Sequence, residues 1–204
     1  MSDGSLALAD WRRRVADLYA AVRRDGAGAD TWTTWREGRD ALLATHSESP
    51  VPPAARPGFR GMPFFPYDPS WCLVGQVTPL VQSRDGAEAP DGTFRPIGEV
   101  VVHRDGREIR LTLMWLDGYG GGLFLPFRDA TSGHATYGGG RYLLDQVKGA
   151  DLGAAPGGEL VLDFNFASHP SCAHAPRWTC PLAPPGNTIA EPVQAGEMAP
   201  PARD

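Results

Sequence analysis

The feature that most constrains this chain is a hairpin signal near its middle. Residues 99–103 form a strand-like run, Arg104-Asp105-Gly106-Arg107 follows, and a second run covers 108–115. Asp-Gly between two such runs suits a tight type I′ turn, because both central positions need positive φ and glycine tolerates it. After the turn, Ile109, Leu111, Leu113 and Trp115 alternate with Arg110, Thr112 and Met114. That period of two describes a strand with one buried face. Further strand-like runs cover 71–81, 123–127, 141–147 and 159–166, while 82–96 is a polar surface loop. There are 25 glycines and 20 prolines among 204 residues, so turns are frequent. No βαβ alternation is present, which excludes a doubly wound fold. The expected fold is mainly β with N-terminal helices, a single-domain antiparallel β-barrel or sandwich.

Before the strands, Trp11, Val15, Leu18 and Val22 mark one face of an amphipathic helix over 6–24. A second helix over 33–45 buries Trp35, Leu42 and Leu43, and Asp30 or Thr31 caps it. Trp35, Arg39 and His46 fall near one face, where Arg39 or His46 either packs or reaches a ligand. Residues 1–50 are thus a helical extension, 51–187 the barrel-like domain and 188–204 a loosely ordered tail. Phe64, Phe65 and Tyr67 belong to an extended arm that covers the end of the sheet.

The formal net charge of −5 argues against a nucleic-acid groove. No apolar run reaches the roughly 20 residues of a membrane span, and no leader peptide precedes the first helix. The expected compartment is the cytoplasm, with the three cysteines reduced.

Two stretches hold more chemistry than connections need. In the first, Tyr137-Gly138-Gly139-Gly140-Arg141, glycines let backbone approach a ligand, and Arg141 offers a planar donor fork for a carboxylate or phosphate. Its competing reading is a strained turn with Arg141 paired to Asp129 or Asp163. In the second, over 161–187, Asp163 and Asn165 share strand parity and point to one face, lining a cavity if that face is inward. His169, Cys172, His174 and Cys180 follow. A zinc site is one reading, although H-x2-C-x-H-x5-C lacks paired ligand spacing. A disulfide, a His-activated nucleophilic cysteine, and two structural thiols in a proline-stiffened loop are the others. Cys72 reads as core. No GxSxG, HExxH or P-loop occurs.

The motifs WRxxRD at 35–40, FRG and FFPYDP within 59–69, LPFxDATSG at 125–133, TYGGGRYL at 136–143, and DFN…PSCA…CPLAPPxN over 163–187 resemble the bacterial family called domain of unknown function 1684. The resemblance runs from about Trp35 to Glu197. It implies no settled activity; some relatives look secreted or lipid-anchored, which this chain does not. The family carries Asn and Tyr at the positions of His169 and His174 but matches Cys172 and Cys180. The resemblance therefore favours a thiol pair, structural or redox, over a metal site. It also implies a shared polar pocket using Tyr137, Arg141, Asp163, Asn165 and Asn187.

The resulting expectation is a pocket for a small anionic or polar molecule. Arg141 and Gly138, Gly139 and Gly140 hold the anion, with Tyr137, Asp163, Asn165, Asn187 and Arg39 around it. The reading leans to a small-molecule enzyme using Cys172 or Cys180 with His169. A non-catalytic accessory protein and a metal protein are the rivals. No cofactor, nucleic acid or membrane partner is assigned, and the oligomeric state is left open.

Overall fold

The computed structural model describes residues 4–80 and 94–199. Two helices, α1 (Gly4–Asp25) and α2 (Ala29–Thr45), precede six strands: β1 (Cys72–Pro79), β2 (Phe94–Arg104), β3 (Arg107–Leu116), β4 (Gly122–Phe127), β5 (Arg141–Asp145) and β6 (Leu160–Asp163). Both helices start earlier than their apolar spacing suggests. In α2 this adds Trp32 to the buried face with Trp35, Leu42 and Leu43.

The strands form one antiparallel sheet in the order β5-β4-β3-β2-β1-β6. The β2–β3 hairpin is the one that alternation foretold. Asp105 and Gly106 sit at φ 50° and 73°, as a type I′ turn requires. Inward residues Val100, Val102, Ile109, Leu111 and Leu113 fill the barrel with Trp71, Phe127 and Phe164. An isolated antiparallel bridge, Tyr142↔Ser168, joins β5 to the chain just beyond β6, so the two edges nearly meet. The sheet thus curls into an almost closed barrel and leaves little free edge.

A second apolar cluster lies between helices and barrel. Trp35 meets Tyr19, Phe64 and Phe166 edge-on, and Trp32 donates its indole N–H to Asn165 O at 2.8 Å. The arm over 59–69 packs on α2: Phe64 meets Trp32 edge-on, Tyr67 meets it at a tilt, and Arg36 lies over Trp32 and Phe64.

Several boundaries differ from expectation. The loop assigned to 82–96 lies outside the described residues up to 93, and 94–96 begin β2. The strand assigned to 159–166 ends at Asp163, because Asp163 accepts Asn165 N–H and turns the chain into a single 3₁₀ turn, Phe164–Phe166. Asn165 is therefore not on a strand. The run at 141–147 likewise stops at Asp145, which caps the turn Gln146–Lys148. Cys72 is exposed, not core.

The larger correction concerns the C-terminus. Residues 188–199 are not a loose tail: Ile189, Val193, Ala195 and Glu197 are buried. The segment pairs in turn with Arg128, Phe65, Ala167, Pro63 and Ala135 through backbone hydrogen bonds of 2.8–3.0 Å. It is a strap that ties arm, barrel and loops together.

Candidate functional site

Arg141 opens β5 and turns inward, stacked on Phe127 and free of solvent. Its Nη2 donates to Asp129 Oδ2 at 2.6 Å and to Val193 O at 2.9 Å, and its Nη1 donates to Ala195 O. The guanidinium is therefore committed to Asp129 and the strap, the pairing that competed with the expected anion contact. The glycines before it serve the same turn. Gly140 has φ +93°, and a Cβ there would meet Phe127 O at 2.4 Å. Its N–H donates to Tyr137 O, while Gly138 and Gly139 have no positive φ.

The other polar residues of the expected pocket are also structural clasps. Asn187 accepts from Thr112 N–H at 2.7 Å and donates to Thr112 O and Pro126 O, imitating a strand neighbour for β3 and β4. Asn165 exchanges hydrogen bonds with the Asp68 backbone and donates to Asp163. Asp163 is buried, and loss of water raises its pKa against the two bonds from Asn165. Among the described residues, the hydrogen bonds of Arg141, Asp163, Asn165 and Asn187 go to the protein's own chain. His46 is likewise structural, capping Glu48 N–H and meeting Asp10 at 3.2 Å.

What does gather is a buried relay from α2 to the cysteine loop. Arg39 Nε donates to Glu197 Oε1 at 2.5 Å, and His169 N–H donates to Glu197 Oε2 at 2.6 Å. Burial works to raise the Glu197 pKa, but the Arg39 charge and the two hydrogen bonds outweigh it and hold the carboxyl low. His169 Nε2 accepts Tyr137 N–H at 3.2 Å, which leaves the ring proton on Nδ1. That atom lies 3.8 Å from Glu197 and makes no hydrogen bond among the described residues. Burial pushes His169 down to about 4, so the ring is neutral at pH 7.

Tyr137 stands between His169 and the thiols, with its ring edge-on to the imidazole, and the neighbouring Cys172 thiol, then burial, raises its pKa. Cys172 and Cys180 are free, half-buried and in contact: Cys172 N–H donates to Cys180 Sγ at 3.2 Å. Burial, then Cys172, raises the Cys180 pKa. His169 Nε2 accepts from the Tyr137 N–H and Nδ1 is on the Glu197 side, so the ring is not placed as a base for either thiol. The sequence expectation of a His169-activated cysteine loses its support. So does the metal alternative: among the described residues, no three His, Cys, Asp or Glu side chains come together as a metal site.

Beside this relay, a cleft of about 50 Å³ opens between the helical pair and β5. Arg39, Tyr142, Asp145, Lys148, Ser168, His169 and Ser171 supply its polar wall, and Trp11, Val15 and Tyr19 its apolar one. Arg39 and His169 are the lining residues that the sequence singled out as site candidates. Lys148 was hidden because its role depends on the turn after β5. Glu197 was hidden because the strap looked like a tail; the motif resemblance reaching it was the available signal.

Comparisons with known proteins agree with this architecture. The chain is similar to the solution NMR structure of the uncharacterized protein from gene locus rrnAC0354 of Haloarcula marismortui. Identity is 32%, the match covers 81% of this chain and 91% of that one, and the TM-score is 0.57. No curated protein matches. The family model described as protein of unknown function (DUF1684) matches residues 57–198, most of the chain, and the protein belongs to that family.

Proposed function

We propose that this protein binds a small anionic or polar molecule in the cleft between α1, α2 and β5. The observation that carries the reading is the state of Arg39. Glu197 holds its Nε, which fixes the guanidinium, and the same side chain lines the cleft with 14% of its surface exposed. A preoriented cation in a partly dry site is a good receptor for carboxylate or phosphate oxygens. Lys148, paired with Asp145 at 3.1 Å, adds a second cation on the same wall, and the serines add neutral donors. At about 50 Å³ the cleft takes only a head group, and a larger body extends into solvent.

The non-catalytic reading is preferred, because the His169 side chain has no exposure and its Nε2 is taken by the Tyr137 N–H. The proposal places the protein in the cytoplasm, a reading supported by three free thiols, the stable state in a reducing compartment. A thermal-shift screen of small carboxylates and phosphates tests the binding, since a ligand of the folded state raises Tm. Lys148→Glu, at a half-exposed side chain, preserves the fold and abolishes the shift. If no anion raises Tm, or the variant responds like the parent, the proposal fails.

A further inference from the structure

We infer that Cys172 and Cys180 form a redox-active dithiol that exchanges with small-molecule disulfides. This does not rest on the cleft proposal, although the two loop anchors, His169 and Tyr142, also border the cleft. Three observations carry it. First, the two sulfurs belong to one short excursion that folds back on itself, so Cys172 N–H rests on Cys180 Sγ at 3.2 Å. Second, both residues are half-exposed, so a small reagent reaches them without unfolding of the barrel. Third, the loop is held at both ends. His169 N–H is fixed on Glu197 at 2.6 Å, and Pro181 O accepts the Tyr142 hydroxyl at 2.6 Å. Anchors on either side keep the sulfurs together through a reaction, which gives the second step a high effective concentration.

The chemistry balances as follows. One thiol loses its proton and attacks the small disulfide, forming a mixed disulfide and expelling one small thiol. The other, held in the same loop by the contact between Cys172 N–H and Cys180 Sγ, attacks the protein-bound sulfur and expels the second small thiol. The Cys172–Cys180 bond closes, two electrons pass to the reagent, and two protons leave the cysteines. Reduction by a dithiol reverses the sequence. Cys72 is exposed but belongs to β1, outside this loop, and takes no part.

The test uses the full chain in buffers of graded reduced and oxidised glutathione, quenched with an alkylating reagent and read by mass spectrometry. The reduced protein takes up three labels, matching its three cysteines. The oxidised protein is expected to take up one, at Cys72, to lose two hydrogen atoms in mass, and to give a cross-linked peptide joining Cys172 to Cys180. Cys172→Ser and Cys180→Ser each leave one sulfur unable to close the ring. Each variant should therefore accumulate glutathione on its remaining loop cysteine where the parent does not. Stable glutathione adducts on both cysteines of the parent, or full labelling at the oxidising end of the series, would overturn the inference. Because both side chains are half-exposed, circular dichroism of the serine variants should match the parent; a parent that never forms the cross-link refutes the inference whatever the variants do.

Discussion

Glu197 is the residue on which helices, loop and strap converge. It is fully buried and takes Arg39 Nε and His169 N–H on its two oxygens. Removing one member of such a pair leaves an uncompensated charge away from water, which is costlier than the pair itself is stabilising. Glu197→Gln is therefore expected to lower unfolding free energy by about 3 kcal/mol or more in urea titrations. His169 gives a pH prediction. Its folded pKa is about 4, below the ordinary 6.5, so between those values the unfolded chain binds the extra proton. Above pH 6.5 the ring is neutral in both states and contributes no pH dependence. As pH falls from 6.5 towards 4.5, stability should drop by about 2 to 3 kcal/mol. Glu197 is held low and adds its own loss only near and below its ordinary range. His169→Asn should flatten the curve between pH 6.5 and 4.5, as read by Tm across a buffer series.

Among the elements, the turn into β5 separates a glycine that backbone geometry demands from two that it does not. Gly140 has positive φ, and its absent Cβ would overlap Phe127 O. Gly140→Ala should cost about 2 to 4 kcal/mol, since strain and overlap add. At Gly138 an added Cβ would meet Gly133 Cα at an ordinary 3.6 Å, so Gly138→Ala should stay within about 0.5 kcal/mol. Denaturant midpoints of the two variants measure the contrast; equal costs would mean that the glycines act together as a backbone cradle. This turn also shows what was legible beforehand. The β2–β3 hairpin and both helices were readable, because local periodicity and Asp105-Gly106 chemistry determine them. That the 137–141 stretch was unusual was readable too. The partner of Arg141 was narrowed to Asp129 or Asp163, and only the folded path of the chain selects Asp129. Asn165 and Asn187 looked like ligand donors because a buried amide that satisfies backbone has the same sequence signature as one that binds a guest.

At the level of the whole molecule, the C-terminal strap decides whether the helical pair and the barrel behave as one body. Composition made 188–199 look dispensable, since proline, alanine and glycine carry little hydrophobic signal. Small residues were needed there for packing: Ala195 is fully buried, and Gly196, at φ +81°, approaches Phe164 O and Ala167 O so closely that a Cβ would lie 2.7 and 2.8 Å from them. Arg141 clasps three of the strap's carbonyls, Val193, Ala195 and Glu197, and Glu197 reaches across to α2 through Arg39. Truncation after Asn187 would strip Arg141 of those acceptors and leave Arg39 without its carboxylate. It would also uncover Phe164 and Phe166, large apolar side chains of the barrel core and the helix-facing cluster. Buried polar groups left without partners cost about 1 to 3 kcal/mol each, more when charged. Their sum rivals the 5 to 15 kcal/mol that holds an ordinary domain together. The truncated chain is therefore expected to lose cooperative thermal unfolding and to elute as aggregate on size exclusion. Adding the 188–204 peptide in trans should restore part of the melting transition, whereas a strap that merely lay on the surface would leave the truncated barrel folded and monodisperse without it.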